Sequence, residues 1–337
     1  MTNRFQALLA ERRCLLADGA MGTNLFALGL PNGACPELWN VENPDAVLRV
    51  HRDFIAAGSD IILTNSFGGT RSRLKLHGAE GRVAELNAAA ARLARRAADE
   101  AGRLVAVAGS MGPTGELFEP LGPLTHDKAT TVFAEQAHAL AEGGADVLWV
   151  ETMSAREEVA AAVSGARATG LPIVATMTFD TNGRTMMGIA PEDARVFFDG
   201  LDPRLAACGA NCGNGPGELV AAVLGLARGG PAEATLVAKG NCGIPEYVDG
   251  HIHYTGTPAV MAEYARLAKA SGARIIGGCC GSTAAHVAAM AHALAEPGVQ
   301  PRPTVDLVAA RLGLQRAAPP AEGTGARRRR RETSRAS

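Results

Sequence analysis

The stretch Arg274-Ile275-Ile276-Gly277-Gly278-Cys279-Cys280-Gly281 shows the unit from which this chain is built. A short apolar run, typical of a β-strand, ends in a polar or glycine-rich turn, and a segment with helical character follows from residue 283. Seven earlier parts of the chain repeat this order. Their apolar runs and the turns that follow are 14–17 and 18–23, 61–64 and 65–69, 104–108 and 109–113, 147–150 and 151–152, 173–177 and 179–183, 205–208 and 209–213, and 236–238 and 239–243.

Helical segments lie between these runs, and most of them end at a glycine, which is a common helix stop. They span residues 44–57, 82–101, 129–142, 155–169, 191–198, 217–227, 258–270 and 283–295. Near-continuous apolar strands that alternate with helices are typical of a parallel sheet covered by helices. Eight such units in roughly 290 residues predict a single (β/α)8 TIM barrel. An open, doubly wound sheet is the alternative, but residues 18–22 read DGAMG and lack the glycine motif of dinucleotide folds.

The composition is that of a soluble protein with a sizeable core, since 47% of the 337 residues are hydrophobic. A formal net charge of -1 excludes a strong general attraction to nucleic acid or to an anionic membrane. No apolar run approaches the roughly 18 residues that cross a bilayer, and charges interrupt the first 13 residues, so no secretory signal is expected. The 7 cysteines are odd in number and widely spread, which favours a reducing cytoplasm over a disulfide scaffold.

The composition changes at about residue 301. We therefore expect the barrel to occupy residues 1–300, and residues 301–337, rich in Pro, Ala and Arg, to form a disordered basic tail. Residues 327–331 are five consecutive arginines. Such a run can bind RNA or anionic lipid, but a solvated tail is the favoured interpretation.

Active sites of this fold lie at the carboxyl ends of the barrel strands. The candidate residues are therefore those that follow the apolar runs: Asp18, Asn65, Ser110, Glu151, Asn211, Cys212, Asn241, Cys279 and Cys280. The adjacent cysteines are poorly placed to form a disulfide with each other. Two thiols flanked by glycines indicate a soft-metal site, and a pair of buried, hydrophobic cysteines is the alternative.

Cys212 supplies a third thiol at the end of the sixth predicted strand, so Cys212, Cys279 and Cys280 are the predicted ligands of a zinc ion. Three thiolates with one open position are typical of a catalytic zinc, whereas a structural zinc needs a fourth protein ligand. Cys242 is a weaker alternative ligand, and Cys208 is expected in the core. A zinc ion held by three thiolates is a poor Lewis acid but binds a substrate thiol as a reactive thiolate, which can attack an electrophilic methyl group.

Asp18 and Glu151 form an acidic pair suited to an ammonium group. The alternative for Asp18 is a turn or cap residue, whereas Glu151 directly after an apolar strand needs a partner. The backbone amides of residues 19–23, including Gly19 and Ala20, can receive a carboxylate. Together these groups predict a pocket for an amino acid whose side chain ends in a thiol.

Six motifs, in order along residues 10–297, give the chain a specific resemblance. They are DGAMGTNL (18–25), TNSFGG (64–69), GSMGPTG (109–115), ET (151–152), GANCG (209–213) and GGCCG (277–281). With these motifs the sequence resembles the homocysteine S-methyltransferases. The resemblance implies zinc on the three cysteines, homocysteine held by Asp18 and Glu151, and methionine as the product. The TNSFGG motif adds Thr64, Asn65 and Phe67 to the predicted substrate site.

The methyl donor is open, because branches of this family use glycine betaine, S-methylmethionine, or methylcobalamin charged from methyltetrahydrofolate. Plant-type S-methylmethionine enzymes usually read CCR where this chain has CCG at 279–281. Residues 25–40 and 247–254 look most like the short bacterial betaine–homocysteine methyltransferases. Methionine synthases normally continue into folate and cobalamin domains, for which these 337 residues leave no room.

A betaine donor needs aromatic faces around its trimethylammonium group, and the candidates are Trp39, Phe67, Tyr247 and Tyr254. Gly68 and Thr152 stand where the animal betaine enzymes carry aromatic residues. Another onium donor, such as S-methylmethionine or dimethylsulfoniopropionate, therefore remains an alternative. So does a homocysteine-binding subunit that takes its methyl group from a separate corrinoid protein. A homo-oligomer is also compatible with the sequence.

Overall fold

The computed structural model describes residues 3–243, 245–248, 251–298 and 300–314, without the side chains of 245, 247, 248 and 251–253. The strands are β1 (Leu15–Leu16), β2 (Ile61–Leu63), β3 (Ala106–Met111), β4 (Val147–Met153), β5 (Ile173–Met177), β6 (Ala207–Cys212), β7 (Leu236–Gly240), β8 (Pro245–Val248), β9 (His251–Tyr254) and β10 (Ala273–Gly278). The helices are α1 (Arg4–Glu11), α2 (Met21–Ala27), α3 (Trp39–Glu42), α4 (Pro44–Ala56), α5 (Arg71–Leu74), α6 (Val83–Glu100), α7 (His126–Glu142), α8 (Arg156–Ala166), α9 (Pro191–Asp199), α10 (Pro216–Arg228), α11 (Pro258–Ala270), α12 (Ala284–Ala295) and α13 (Val305–Leu312).

Eight of the strands form one parallel sheet in the order β1-β10-β7-β6-β5-β4-β3-β2. A bridge between Ala17 and Ile61 joins its two outer strands, and the amide of Asp60 donates to the carbonyl of Leu16 at 2.7 Å. The sheet therefore closes on itself. The predicted (β/α)8 barrel is confirmed, and the open-sheet alternative is wrong. Strands β8 and β9 form a separate antiparallel hairpin between β7 and α11.

The side chains of the barrel strands alternate between the barrel interior and the surrounding helices. The inward set at the amino end is apolar and includes Leu15, Ile61, Val147 and Trp149, and the helix α1 packs against it with two fully buried side chains, Phe5 and Leu8. This end is therefore filled with hydrocarbon. Only the carboxyl end is left for polar inward-facing side chains, as expected for this fold.

The structure corrects the predicted end of the folded part at residue 300. Thr304 caps the helix α13 by accepting a hydrogen bond from the amide of Leu307 at 3.2 Å, and Val308 is buried. Arg311 forms an ion pair with Glu263 on α11 at 2.7 Å. One amphipathic helix is thus present within a stretch whose average composition predicts disorder. The rest of the predicted tail, residues 315–337, lies outside the described residues.

The described part of the chain contains no helix with the length and apolar character that crossing a bilayer requires. All 7 cysteines lie in that part, and none of them forms a disulfide.

Candidate metal centre at the carboxyl end of the barrel

Cys212, Cys279 and Cys280 meet at the carboxyl end of the barrel, with their sulfur atoms all within 4.8 Å of one another. Cys279 lies in the inward-facing series of β10, two positions after Gly277. Alternation along β6 would instead direct Cys212 outward, in the same direction as Cys208, which packs among the helices. The φ angle of Cys212 is +63°, a left-handed conformation uncommon for residues other than glycine. We infer that this backbone turn brings its thiol to the other two.

Two asparagines hold the cysteine-bearing loops in place. Asn241 accepts a hydrogen bond from the amide of Cys280 at 3.0 Å and donates to the carbonyl of Gly213 at 2.5 Å, so it joins the loops after β6 and β10. Asn211 donates to the hydroxyl of Thr152 at 2.7 Å and accepts from the amide of Thr152 at 2.8 Å. Both asparagines were candidates from the sequence, and the structure gives them positioning roles.

The three thiols fit a thiophilic cation. In a tetrahedral site with Zn–S bonds of about 2.3 Å, the sulfur atoms lie roughly 3.8 Å apart, a separation that this cluster allows. Hydrogen bonds from the other two thiols lower the pKa of Cys212 to about 3. The hydrogen bond with Cys212 is the largest effect that raises the pKa of Cys279 to about 12, and hydrogen bonds with both other thiols raise the pKa of Cys280 well above its ordinary value. A bound cation would favour the thiolate form of all three.

Within the described residues no fourth Cys, His, Asp or Glu joins this cluster. Cys242, the weaker alternative, instead donates its thiol hydrogen to the carbonyl of Gly256 at 2.9 Å. A metal held by the three thiols would therefore keep one position for another ligand. This is the arrangement that distinguishes a catalytic zinc site from a closed structural one.

A buried ion pair lies beside the thiols. The ammonium group of Lys239 contacts the carboxylate of Asp18 at 2.6 Å, and both side chains are 2% exposed. The second carboxylate oxygen of Asp18 accepts the amide of Leu63 at 2.7 Å. Burial opposes the charge on Lys239, but Asp18 and Glu151 outweigh that effect and raise its pKa. Asp18 is therefore already paired, which the sequence did not indicate.

Glu151 is the less compensated carboxylate of the site. It is 7% exposed, accepts the hydroxyl of Ser110 at 2.5 Å, and lies 3.4 Å from the amide nitrogen of Asn211. Burial raises the pKa of Glu151 to about 7, and an electrostatic interaction with Cys279 adds to the effect. With Asp18 neutralised by Lys239, an ammonium group brought by a ligand is the natural partner for Glu151.

Sequence reasoning missed Lys239 as a site residue. The signal was present, because Val237 faces the barrel interior and a residue two positions later on β7 must do the same. Lys239 stands two positions after the inward-facing Val237, as Glu151 stands two positions after the inward-facing Trp149. An inward-facing lysine at the end of a barrel strand requires a buried anion, and Asp18 is that anion.

One cavity of about 1330 Å³ joins these groups and continues outward between the loops that follow β1 and β2. The predicted substrate residues that line it are Asp18, Gly19, Ala20, Thr64, Asn65, Phe67, Glu151 and Tyr254. Asn65 also supports the wall, since its amide donates to the carbonyl of Pro36 at 2.7 Å. The cavity exceeds the usual range for one small ligand, which is roughly 300–1,000 Å³, and so has room for two substrates.

Two of the four aromatic candidates, Phe67 and Tyr254, line the cavity. Phe67 is 39% exposed there, and Tyr254 contacts the thiol of Cys280. The structure does not place Trp39 in the cavity wall, because its half-buried side chain packs against the core between strands and helices. The side chain of Tyr247 lies outside the described residues.

The structure explains two positions, Gly68 and Gly281, at which this sequence differs from the enzymes that it resembles. A Cβ atom at Gly68 would lie 3.0 Å from a carboxylate oxygen of Glu37, which accepts the Gly68 amide at 2.6 Å, so the loop that carries Glu37 takes the space of an aromatic side chain. A Cβ atom at Gly281 would lie 2.2 Å from the ring of Tyr254, and the φ angle of Gly281 is +80°. A longer residue after the cysteine pair would therefore displace Tyr254 from the site.

Comparison with known proteins places this site in a family. Residues 15–294 match the family model described as homocysteine S-methyltransferase. The methionine synthase of Mycobacterium tuberculosis (strain ATCC 25618 / H37Rv) is 32% identical over 301 residues, which make up 85% of this chain and 25% of that protein. That of Mycobacterium leprae (strain TN) is 30% identical over 309 residues. This chain therefore spans about a quarter of the length of these relatives.

A solved structure supports the same relationship at the level of the fold. The metallated form of the homocysteine methyltransferase MmuM from Escherichia coli superposes with a TM-score of 0.70 and 28% identity, covering 86% of this chain and 99% of that one. The match to the family model extends from β1 to the end of α12, and so includes all three cysteines and both carboxylates. On that evidence, this chain is a member of the homocysteine S-methyltransferase family.

Proposed function

We propose that this protein transfers a methyl group from an onium donor to the thiol of L-homocysteine, giving methionine. The observation that carries the proposal is the cluster of Cys212, Cys279 and Cys280, open on one side and adjacent to Glu151 in the same cavity. A cysteine triad can hold a metal that accepts a substrate sulfur, and the buried carboxylate can hold the amino group of that substrate. The predicted cytoplasmic location agrees with a chemistry that depends on reduced thiols.

Cys212, Cys279 and Cys280 are the residues that would hold zinc. The bound ion would supply one property, a large decrease in the pKa of the substrate thiol, so that no general base is needed. The protein's own groups orient the substrate. Glu151 holds the ammonium group, and the Lys239–Asp18 pair sets the charge around it.

The donor that we favour is glycine betaine. In that reaction the homocysteine sulfur forms a bond to a methyl carbon as the carbon–nitrogen bond of betaine breaks, the electron pair stays on nitrogen, and methionine and dimethylglycine leave. The thiol proton passes to dimethylglycine or to solvent. Phe67 and Tyr254 offer the aromatic faces that stabilise a trimethylammonium group in a cavity with room for both substrates.

A second candidate function is supported by the relatives named methionine synthase, which are four times as long as the matched segment. In this case the chain binds homocysteine but receives the methyl group from a separate corrinoid protein. Such a protein would show measurable affinity for the carrier and no turnover with free betaine. S-methylmethionine and dimethylsulfoniopropionate are further onium donors to test.

Turnover with free donors separates these possibilities. The zinc-loaded chain is incubated with homocysteine and, in separate reactions, with betaine, dimethylsulfoniopropionate, S-methylmethionine or methylcobalamin, and methionine is quantified. We expect methionine from betaine. Methionine only from methylcobalamin would favour the corrinoid-dependent function, and no methionine from any free donor would exclude an enzyme that acts alone with these donors.

The affinity for homocysteine is expected to fall as the pH decreases below 7. Because the pKa of Glu151 is raised to about 7, its carboxylate becomes neutral at lower pH and loses its attraction for the substrate ammonium. The dissociation constant measured by calorimetry should rise by up to about tenfold per pH unit below that point. Glu151→Gln should bind weakly at every pH from 6 to 8 and should lack this additional loss below pH 7, keeping only the pH dependence that comes from deprotonation of the substrate thiol on binding.

Glu158→Gln is the matched control for this experiment. Glu158 is also buried with a raised pKa, but it accepts hydrogen bonds from Thr114 away from the cavity. Glu158→Gln should therefore bind homocysteine with the same pH dependence as the wild type. A wild-type profile with the same pH dependence as Glu151→Gln between pH 6 and 8 would show that Glu151 does not bind the ammonium group.

A further inference from the structure

Arg73 is a cation in the cavity wall that the chemistry above does not use. It lies on the short helix α5, which Thr70 caps by accepting the Arg73 amide at 3.3 Å. Its side chain is half-buried, lines the same cavity as the thiols, and passes 3.3 Å from the Cβ position of Gly115. Among the described residues its guanidinium has no hydrogen-bond or ion-pair partner.

The other arginine of α5 behaves differently. Arg71 points away from the cavity and forms an ion pair with Glu135 on α7. The two arginines thus share one helical turn, but within the part of the chain that the structure describes only Arg71 has an acidic partner. A half-buried guanidinium without a partner in a cavity wall is a binding group for an anion, and its planar fork fits a carboxylate in particular.

Other residues that line the same cavity carry a negative charge or an aromatic face. Phe67, 39% exposed, lines it four residues before α5 begins. Glu37 is bonded to the adjacent amide of Gly68 and also lines this part of the cavity. A cation is therefore favoured beside Phe67 and Glu37, and an anion is favoured beside Arg73.

We propose that Arg73 binds the carboxylate of the methyl donor, so that the outer part of the cavity selects zwitterions with an onium group at one end and a carboxylate at the other. The inference rests on the proposed function, which it extends to a donor class and a residue. Arg73 holds the anionic end, and the onium methyl group then faces the cysteine end. Simple onium cations lack the group that Arg73 recognises.

The test compares donors with and without a carboxylate in Arg73→Gln. With glycine betaine, KM should rise by about 10- to 100-fold, the loss expected for one charge-assisted hydrogen bond. The KM for homocysteine should stay within about twofold, since the proposal assigns Arg73 to the donor and Glu151 to homocysteine. With trimethylsulfonium as donor, methionine formation should also stay within about twofold of the wild type. Arg73→Lys keeps the charge and should recover part of the loss.

Arg71→Gln is the matched control, because it removes a cation from the same helix but from outside the cavity. A binding measurement separates the two proposals: betaine is titrated by calorimetry into the zinc-loaded protein with homocysteine present. Weaker betaine binding in Arg73→Gln than in Arg71→Gln supports the carboxylate role, whether or not the wild type turns betaine over. Equal betaine binding in the two variants, or equal losses with betaine and trimethylsulfonium, would overturn it.

Discussion

Cys212→Ala is expected to lose both stoichiometric zinc and methyl transfer. Cys212 supplies one of three sulfur atoms that lie within 4.8 Å of one another, and no described Cys, His, Asp or Glu is placed to replace it. Removing a ligand should cost more than the roughly 10- to 100-fold loss that follows removal of a group which only orients a ligand. The measurements are zinc content after dialysis and the rate of methionine formation.

The same strand offers a matched control for that substitution. Cys208→Ala removes an identical side chain four residues earlier on β6, but Cys208 is buried against the helices and its loss should leave zinc content unchanged. Cys242→Ala tests the weaker alternative ligand in the same way. Full zinc content and activity in Cys212→Ala, or zinc loss in Cys242→Ala alone, would show that the cluster is assigned incorrectly.

Lys239→Met is expected to destabilise the fold strongly. It leaves the carboxylate of Asp18, 1% exposed, without its ion-pair partner. Removing one partner of a buried pair typically costs about 3–5 kcal/mol, because the remaining charge has no compensation. Denaturant unfolding should therefore show a lower midpoint with an unchanged slope.

The double variant Asp18→Asn with Lys239→Met tests whether the uncompensated charge of Asp18 causes this loss of stability. It removes both charges and keeps an oxygen at residue 18 that can accept the amide of Leu63. We expect it to recover most of the lost stability while its affinity for homocysteine stays reduced. A double variant no more stable than Lys239→Met would mean that lysine packing, not charge, explains the effect. Arg71→Gln, which breaks an exposed ion pair, should change the unfolding free energy little.

The barrel was predictable because its signal is local and repeated. Each of eight strands is an apolar run, each is followed by a turn and a helix, and the repeat number leaves few topologies. The helix α13 was missed for the opposite reason. It is short, and its buried Val308 is surrounded by residues whose average composition predicts disorder.

Most residues of the candidate site were predictable from the sequence, but the ion pair within it was not. Glu151 and Cys279 follow from their positions at the ends of predicted strands, and strand alternation along β7 would also have identified Lys239. The ion pair between Lys239 and Asp18 joins residues 221 positions apart, so no local pattern reports it. The sequence predicted that Asp18 and Glu151 both bind the substrate ammonium. Because Asp18 is paired with Lys239, our proposal assigns that role to Glu151 alone.

By itself, the sequence determined which elements form, which ends of the strands carry polar groups, and which three thiols are available for a metal. The tertiary structure alone decided how Cys212 reaches the other two thiols, that Trp39 lies outside the cavity wall, and that Arg73 lines the cavity with no partner among the described residues. The physical reason is that periodicity and turns depend on neighbours along the chain. Charge pairing, the left-handed turn at Cys212 and the shape of a cavity depend instead on groups that only barrel closure brings together.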